Sequence, residues 1–93
     1  ANWGGLLWHL HQVPGHSPDS IVYDLPDEGI MFTGDVIFAG SIGRTDLPGG
    51  NRRLLKQGIE KNLLTQPDTT MLFPGHGPYT TVKNELLTNP FIS

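Results

Sequence analysis

The run Met31-Phe32-Thr33-Gly34-Asp35-Val36-Ile37-Phe38-Ala39-Gly40 decides how the rest of the chain is read. Ile30, Met31 and Phe32 lead straight into Thr33-Gly34-Asp35, and a second apolar run then resumes. A buried strand that ends at a glycine-bent turn, with one carboxylate projecting where it stops, accounts for that order. A carboxylate among apolar residues is costly unless a cation or a donor compensates it. Upstream, His16 stands in Pro14-Gly15-His16-Ser17-Pro18; downstream, His76 stands in Pro74-Gly75-His76-Gly77-Pro78. Two histidines in nearly the same rigid frame, on either side of a strand-end aspartate, predict a metal site made of His16, Asp35 and His76.

Residues 6–13 are β-prone, with His9, His11 and Val13 on one face and Trp8 and Leu10 on the other. Pro14-Gly15 stops that strand, and residues 20–25 form a second around Ile21, Val22 and Tyr23. Pro26-Asp27-Glu28-Gly29 is a strong hairpin-turn signal before strand three, residues 30–33. Residues 36–38 make either a short fourth strand or an irregular segment. Residues 40–50 hold four glycines and a proline, a loop long enough to line something. Asn51 is placed to cap a helix over about residues 52–64, whose apolar stripe is Leu55, Ile59 and Leu63, widened by Leu54 and Leu64. Gly58 inside it costs about 1 kcal/mol against alanine, so a close packing partner is expected there. Pro67-Asp68 turns the chain into a fifth strand, residues 70–73, which delivers the second Pro-Gly-His loop. Thr80 or Thr81 then caps a short helix to about Leu87, ended by Asn89-Pro90. The predicted order is four strands, helix, strand, helix.

At 93 residues the chain is a single domain at most, and one of this size buries somewhat over ~60% of its unfolded surface. Twelve glycines and eight prolines favour turns and loops over long helices. A net charge of −3 gives no reason to expect nucleic acid or an anionic membrane as partner. Without cysteine, disulfides and thiolate zinc sites are excluded and the redox compartment stays open. No apolar run approaches the ~20 residues of a membrane span, and no secretory signal is read; a cytoplasmic protein is the expectation. The chain begins Ala1-Asn2-Trp3, so it is expected to be either processed or a piece of something longer.

Each of the three candidate ligands follows a predicted strand, in a loop stiffened by glycine or proline. Strand ends lying side by side can aim such loops at one point. Imidazole and carboxylate suit zinc, iron or manganese, and nothing favours a soft site. Ligation needs neutral imidazole, so affinity should fall as pH drops below the histidine range. One Gly-His pair alone reads equally well as a surface or turn histidine; two framed alike, with Thr-Gly-Asp between them, favour a shared site. His9 and His11 lie on one face, but Val13 and Pro14 stand where an Asp-His pair would serve a dinuclear site. They are read as strand surface or sandwich filling. Trp8 and Phe38 are expected in the core. Arg44 and Asp46 are expected to pin the long loop by ion pairing, and Arg52, Arg53 and Lys56 to form a solvated helix face. Ser41 has no base partner in view and is not read as a nucleophile.

Taken together, Pro14-Gly15-His16-Ser17-Pro18, Phe32-Thr33-Gly34-Asp35, Gly43-Arg44-Thr45-Asp46 and Pro74-Gly75-His76-Gly77-Pro78 resemble the metallo-β-lactamase superfamily. Within it the chain is most similar to the bacterial glyoxalase II-like hydrolases. The likeness runs from about Leu6 to Phe91 and includes the closing Asn89-Pro90-Phe91. It implies an α+β fold, the C-terminal half of an α/β/β/α sandwich made of two similar halves. Residues 1–93 are then that half, with the N-terminal half absent.

The resemblance also implies two divalent metal ions in the complete protein, zinc first, with iron and manganese as alternatives. Most of their ligands belong to a His-x-His-x-Asp-His motif of the N-terminal half, which this chain lacks. By resemblance, His16 completes the first site and His76 the second, while Asp35 bridges both metals and is the catalytic residue that positions the attacking water. Each metal then draws two ligands from this chain, whereas a catalytic zinc keeps three protein ligands and an open position. The complete parent is expected to be an enzyme and this chain alone to be inactive.

The implied activity is hydrolysis of a small-molecule thioester, as in a hydroxyacylglutathione hydrolase. One alternative is an iron-dependent persulfide dioxygenase, whose group shares Gly-Arg-Thr-Asp but is less similar at residues 74–78. Another is a non-catalytic half-domain that pairs with the missing N-terminal half or with a second copy through an exposed apolar sheet face. A β-lactamase proper usually differs in these loops. The family usually has glycine where Asp19 stands, a difference that either reshapes the turn after His16 or adds a carboxylate near the site.

Overall fold

Five strands form the main sheet in the computed structural model, which describes residues 2–3, 6–46 and 48–92. In chain order the elements are β1 (Asn2–Trp3), β2 (Leu6–Leu7), β3 (His9–Gln12), β4 (Ile21–Leu25), β5 (Ile30–Gly34), β6 (Ile37–Phe38) and β7 (Ser41–Ile42), followed by α1 (Arg52–Asn62), β8 (Met71–Pro74), β9 (Thr80–Thr81) and α2 (Val82–Thr88). The sheet order is β3-β4-β5-β8-β9. Only β5 and β8 pair in parallel; the other neighbours are antiparallel. This is the expected α+β class, with strands first, a helix, a returning strand and a second helix.

The register explains the two faces. Asp24, Met31 and Leu72 are partners across three strands and are all buried, as is Val22 two residues before Asp24. Against them packs α1, whose Leu55 and Ile59 have no exposed surface, joined by Leu63 at its C-cap and by Val13, Val36, Ile37, Val82 and Ile92. Asn51 caps α1 by accepting the Leu54 N–H at 3.1 Å. The helix closes at Asn62, slightly earlier than the apolar stripe predicts, where the N–H groups of Leu63 and Leu64 both donate to the Ile59 carbonyl. Gly58 has the close partner its position predicts: a Cβ there would stand 2.7 Å from Val13 Cγ1.

Three local features refine or depart from expectation. Residues 6–13 are not one strand: Leu6–Leu7 pairs with Asn2–Trp3, and only His9–Gln12 joins the main sheet. The short run after Asp35 leaves the sheet and folds back on Ser41–Ile42, through a two-residue turn whose Gly40 takes φ +79°. Thr80–Thr81 adds a two-residue strand on β8 just before α2.

The face away from the helices carries Leu10, Tyr23, Phe32 and Phe73 as successive partners across β3, β4, β5 and β8. Ring centroids lie 5.7 Å apart in each of the pairs Trp8–Tyr23, Phe32–Phe73 and Phe73–Tyr79. Leu10, Tyr23 and Phe32 remain 52%, 42% and 45% exposed, far more than core residues of their size. Among the described residues, no helix is long and apolar enough to cross a membrane.

Two glycines with positive φ separate packing from backbone strain. Gly15 (φ +133°) lies against the Leu55 backbone and side chain, which a Cβ would strike, while Gly29 (φ +67°) faces open space. Gly15→Ala should lower unfolding free energy by roughly 2–4 kcal/mol, combining left-handed strain with overpacking. Gly29→Ala should cost only about 1 kcal/mol. Urea denaturation of both variants checks the difference; equal losses would refute it.

Candidate metal centre

β3, β5 and β8 run in the same direction, so the loops that follow them leave the sheet at one end. His16, Asp35 and His76 sit on those loops. The parallel β5–β8 ladder slips by one residue between Phe32 and Gly34. Such a bulge re-aims the side chains beyond it. Here the extra residue is Thr33, fully buried, whose hydroxyl donates to the Ile37 carbonyl at 3.3 Å. Gly34 then takes φ +53° and accepts the Gly75 N–H at 2.8 Å, tying the two strand ends together just before Asp35 and His76. The His16 loop is held from the other side, because the Asn51 N–H at the start of α1 donates to the Gly15 carbonyl at 2.6 Å.

The three side chains meet. His16 Nε2 lies 3.7 Å from Asp35 Oδ2, and His76 Nε2 lies 3.6 Å from Asp35 Oδ1. Each carboxylate oxygen therefore faces its own imidazole. Both separations are too long for a hydrogen bond. They match two donors of one ion, which stand roughly 3.3–3.7 Å apart when each is 2.0–2.2 Å from the metal at tetrahedral to trigonal angles. His16 Nδ1 is 2.9 Å from the Arg44 carbonyl oxygen, which can only accept. The Nδ1–H therefore donates in that bond, and in the neutral ring this tautomer leaves the Nε2 lone pair directed at the carboxylate. This hard nitrogen and oxygen set fits a divalent ion at each oxygen of Asp35. Among the described residues no group of three His, Cys, Asp or Glu converges as a single ligand set. Exposure rises from 24% at His16 through 46% at Asp35 to 82% at His76, so the open side of the cluster is the His76 side.

The other expectations sort as follows. His11 is on the helix side of β3, with Nε2 3.2 Å from Asp24 Oδ2, and Asp24 also accepts from Gln66 Nε2 at 3.4 Å; His9 is exposed. Arg44 makes a bidentate pair with Asp46, both bonds 2.9 Å. That hydrogen bonding keeps the Asp46 carboxyl below its ordinary range. The Ser41 hydroxyl donates to the Ile42 carbonyl, and the Arg52 guanidinium lies 5.5 Å over the Phe91 ring. Asp19 is exposed in the turn after His16. Trp8 and Phe38 are half-buried and not in the core. Phe38 instead borders the candidate site, its ring 6.4 Å from that of His76.

Glu85 is absent from the sequence expectations, yet it organises this end of the molecule. Fully buried, it accepts from the Gly40 N–H (2.8 Å), Thr80 Oγ1 (2.6 Å), Asn84 Nδ2 (3.0 Å) and Asn89 Nδ2 (2.9 Å). Asn89 also donates to the Ser41 carbonyl at 3.0 Å. Through these bonds α2 grips the β6–β7 hairpin that carries Phe38. The signal available in the sequence was the helical spacing of Val82, Glu85 and Asn89, which puts two polar residues on the apolar face of α2.

An α+β domain with two imidazole–carboxylate pairs gathered at one end of its sheet is the class that the fold and the candidate site define. The family model described as the metallo-beta-lactamase superfamily matches residues 1–76, which include all three candidate ligands. The chain belongs to that superfamily. It is 49% identical over 88 residues to the probable metallo-hydrolase YqgX of Bacillus subtilis, and 39% identical over 89 residues to the hydroxyacylglutathione hydrolase GloC of Haemophilus influenzae. These alignments cover 92% and 96% of this chain but 42% of each relative. The chain thus spans less than half the length of the curated relatives it matches.

Solved structures agree in fold. The BLEG-1 B3 metallo-beta-lactamase superposes with a TM-score of 0.95 at 42% identity, over all of this chain and 44% of that one. TTHA1623, solved in a di-iron-bound form, gives 0.87 at 42% identity over 90% of this chain and 42% of that one. ETHE1 from Myxococcus xanthus gives 0.91 at 34% identity over 99% and 42%.

Glu85 also makes stability depend on pH. Burial alone pushes its pKa up, but the bonds from Thr80, Gly40, Asn89 and Asn84 outweigh burial and hold it below the ordinary 4.5. The unfolded chain then binds the proton more readily, so this stabilisation is complete above about pH 4.5 and is lost as pH falls through the folded value. Glu85→Gln should flatten the acid limb of a stability–pH curve measured by urea unfolding, and should cost about 2–4 kcal/mol at neutral pH. An unchanged acid limb would remove Glu85 as its cause.

Proposed function

We propose that this chain is the C-terminal half of a metal-dependent hydrolase that cleaves a small-molecule thioester, similar to a hydroxyacylglutathione hydrolase. The observation that carries the reading is Asp35 with one oxygen toward His16 and the other toward His76. His16 and Asp35 would hold one divalent ion, and Asp35 and His76 a second. Zinc is the first choice, with iron or manganese compatible with the same donors. When bound, such a pair supplies Lewis acidity at a scissile carbonyl and lowers the pKa of water towards ~7. The chain's own part is placement. Asp35 fixes the spacing of the two half-sites, and His16 arrives in the tautomer that ligation needs. The similarity to GloC supports the thioester class, and the di-iron form of TTHA1623 supports a two-metal site.

Two ligands per ion are one short of a working zinc site. The missing ligands are assigned to an N-terminal half, in keeping with the 42% coverage of the relatives. The same half would cover the aromatic face of the sheet. A persulfide dioxygenase with one iron is the second reading, favoured by Gly43-Arg44-Thr45-Asp46 and compatible with the likeness to ETHE1.

In the complete protein, Asp35→Ala should lower thioester hydrolysis by about 100-fold or more, since removing even an outer partner of a ligand costs 10–100-fold. Unchanged turnover removes Asp35 from the mechanism. Oxygen uptake with glutathione persulfide would transfer the assignment to the dioxygenase, and faster opening of a chromogenic β-lactam than of any thioester would transfer it to the lactamases. The isolated chain should hydrolyse neither substrate and should self-associate in light scattering. A metal-free monomer that binds no apolar dye would defeat the half-domain account.

A further inference from the structure

We infer that Gly43 and the main-chain carbonyl of Arg44 are the positioning device of the site, setting His16 and Asp35 against each other before any metal arrives. The inference rests on the reading of these residues as ligands, and concerns groups that are not ligands themselves.

Gly43 follows β7 and is buried; its N–H donates to the Val36 carbonyl at 3.0 Å. A Cβ at this position would strike the Asp35 carbonyl oxygen and stand 3.2 Å from His16 Cβ. Only a hydrogen fits between the Asp35 main chain and the His16 side chain. The backbone of Gly43 is not in the left-handed region, so the requirement is for space and not for unusual φ. Because Gly43 is seated there, the next carbonyl, that of Arg44, meets His16 Nδ1 at 2.9 Å. That bond sets the ring's rotation and its tautomer together, and directs Nε2 at Asp35 Oδ2. The Arg44–Asp46 ion pair beside it is 60% and 69% exposed, and exposed pairs contribute little. The positioning is therefore done by backbone atoms. Ligating histidines commonly give their second N–H to such a carbonyl, and losing that partner weakens metal binding 10–100-fold.

The test uses the complete protein in metal-free form, with the His16 ring nitrogens read by 15N NMR and zinc uptake read by titration of the same signals. In the unmutated chain His16 should carry its proton on Nδ1. In Gly43→Ala that tautomer should be lost and zinc affinity should fall tenfold or more. Arg44→Ala keeps the carbonyl and should retain both. A proton on Nε2 in the unmutated chain overturns the inference, and does so even if Gly43→Ala fails to fold. So does a folded Gly43→Ala with unaltered tautomer and affinity. Loss of the tautomer in Arg44→Ala would move the role to the ion pair and overturn the assignment to backbone. An Nδ1–H His16 whose ring signals zinc leaves unchanged in the complete protein would uphold the positioning while sinking the ligand reading.

Discussion

The parallel pairing of β5 with β8 is the constraint from which the rest of this domain follows. Parallel neighbours cannot be joined by a tight turn, so the chain must cross over between them, and α1 is that crossover. Once the pair is formed, the ends of both strands lie together, and the Gly34–Gly75 hydrogen bond delivers Asp35 and His76 to one place. The crossover helix then contributes the third member indirectly. Its N-cap and first turn hold Gly15, and its Gly58 leaves room for Val13, so the loop bearing His16 is moulded onto the helix. Three residues far apart in sequence thus share one corner because two strands run the same way.

Much of this was legible in the sequence, and the reasons differ by residue. The frames around His16 and His76 announced themselves because proline and glycine restrict backbone so strongly that little else explains them. The stripe of Leu55, Ile59 and Leu63 carried α1, and all three are buried as their period requires. What was hidden depended on long-range partners. Thr80–Thr81 is too short to have a pattern of its own, and becomes a strand only because β8 has a free edge. Phe38 read as core, but the Gly40 turn swings its segment out of the sheet and beside His76. Glu85 drew no expectation from the sequence. Its burial is decided by Gly40 and Thr80, neither of which its neighbours reveal.

The two faces of the sheet show how differently one domain can treat apolar residues. Behind the sheet, aliphatic side chains from both helices pack without exposed surface. In front, aromatic rings touch one another across strands and still meet solvent. Large apolar areas in contact with water mark surfaces that associate. The cluster around Asp35 is most open at His76, beside Phe38.

The grip of α2 on the Gly40 turn has a bearing on how short such a domain could become. A polypeptide stopped just beyond His76 would still contain every side chain of the cluster. It would lack Thr80, Glu85 and Asn89, so the hairpin flanking the cluster would be released at its tip. The segment needed to hold this corner is therefore longer than the one bearing the three side chains, and residues 80–89 act as scaffolding that no inspection of the cluster alone would think to keep.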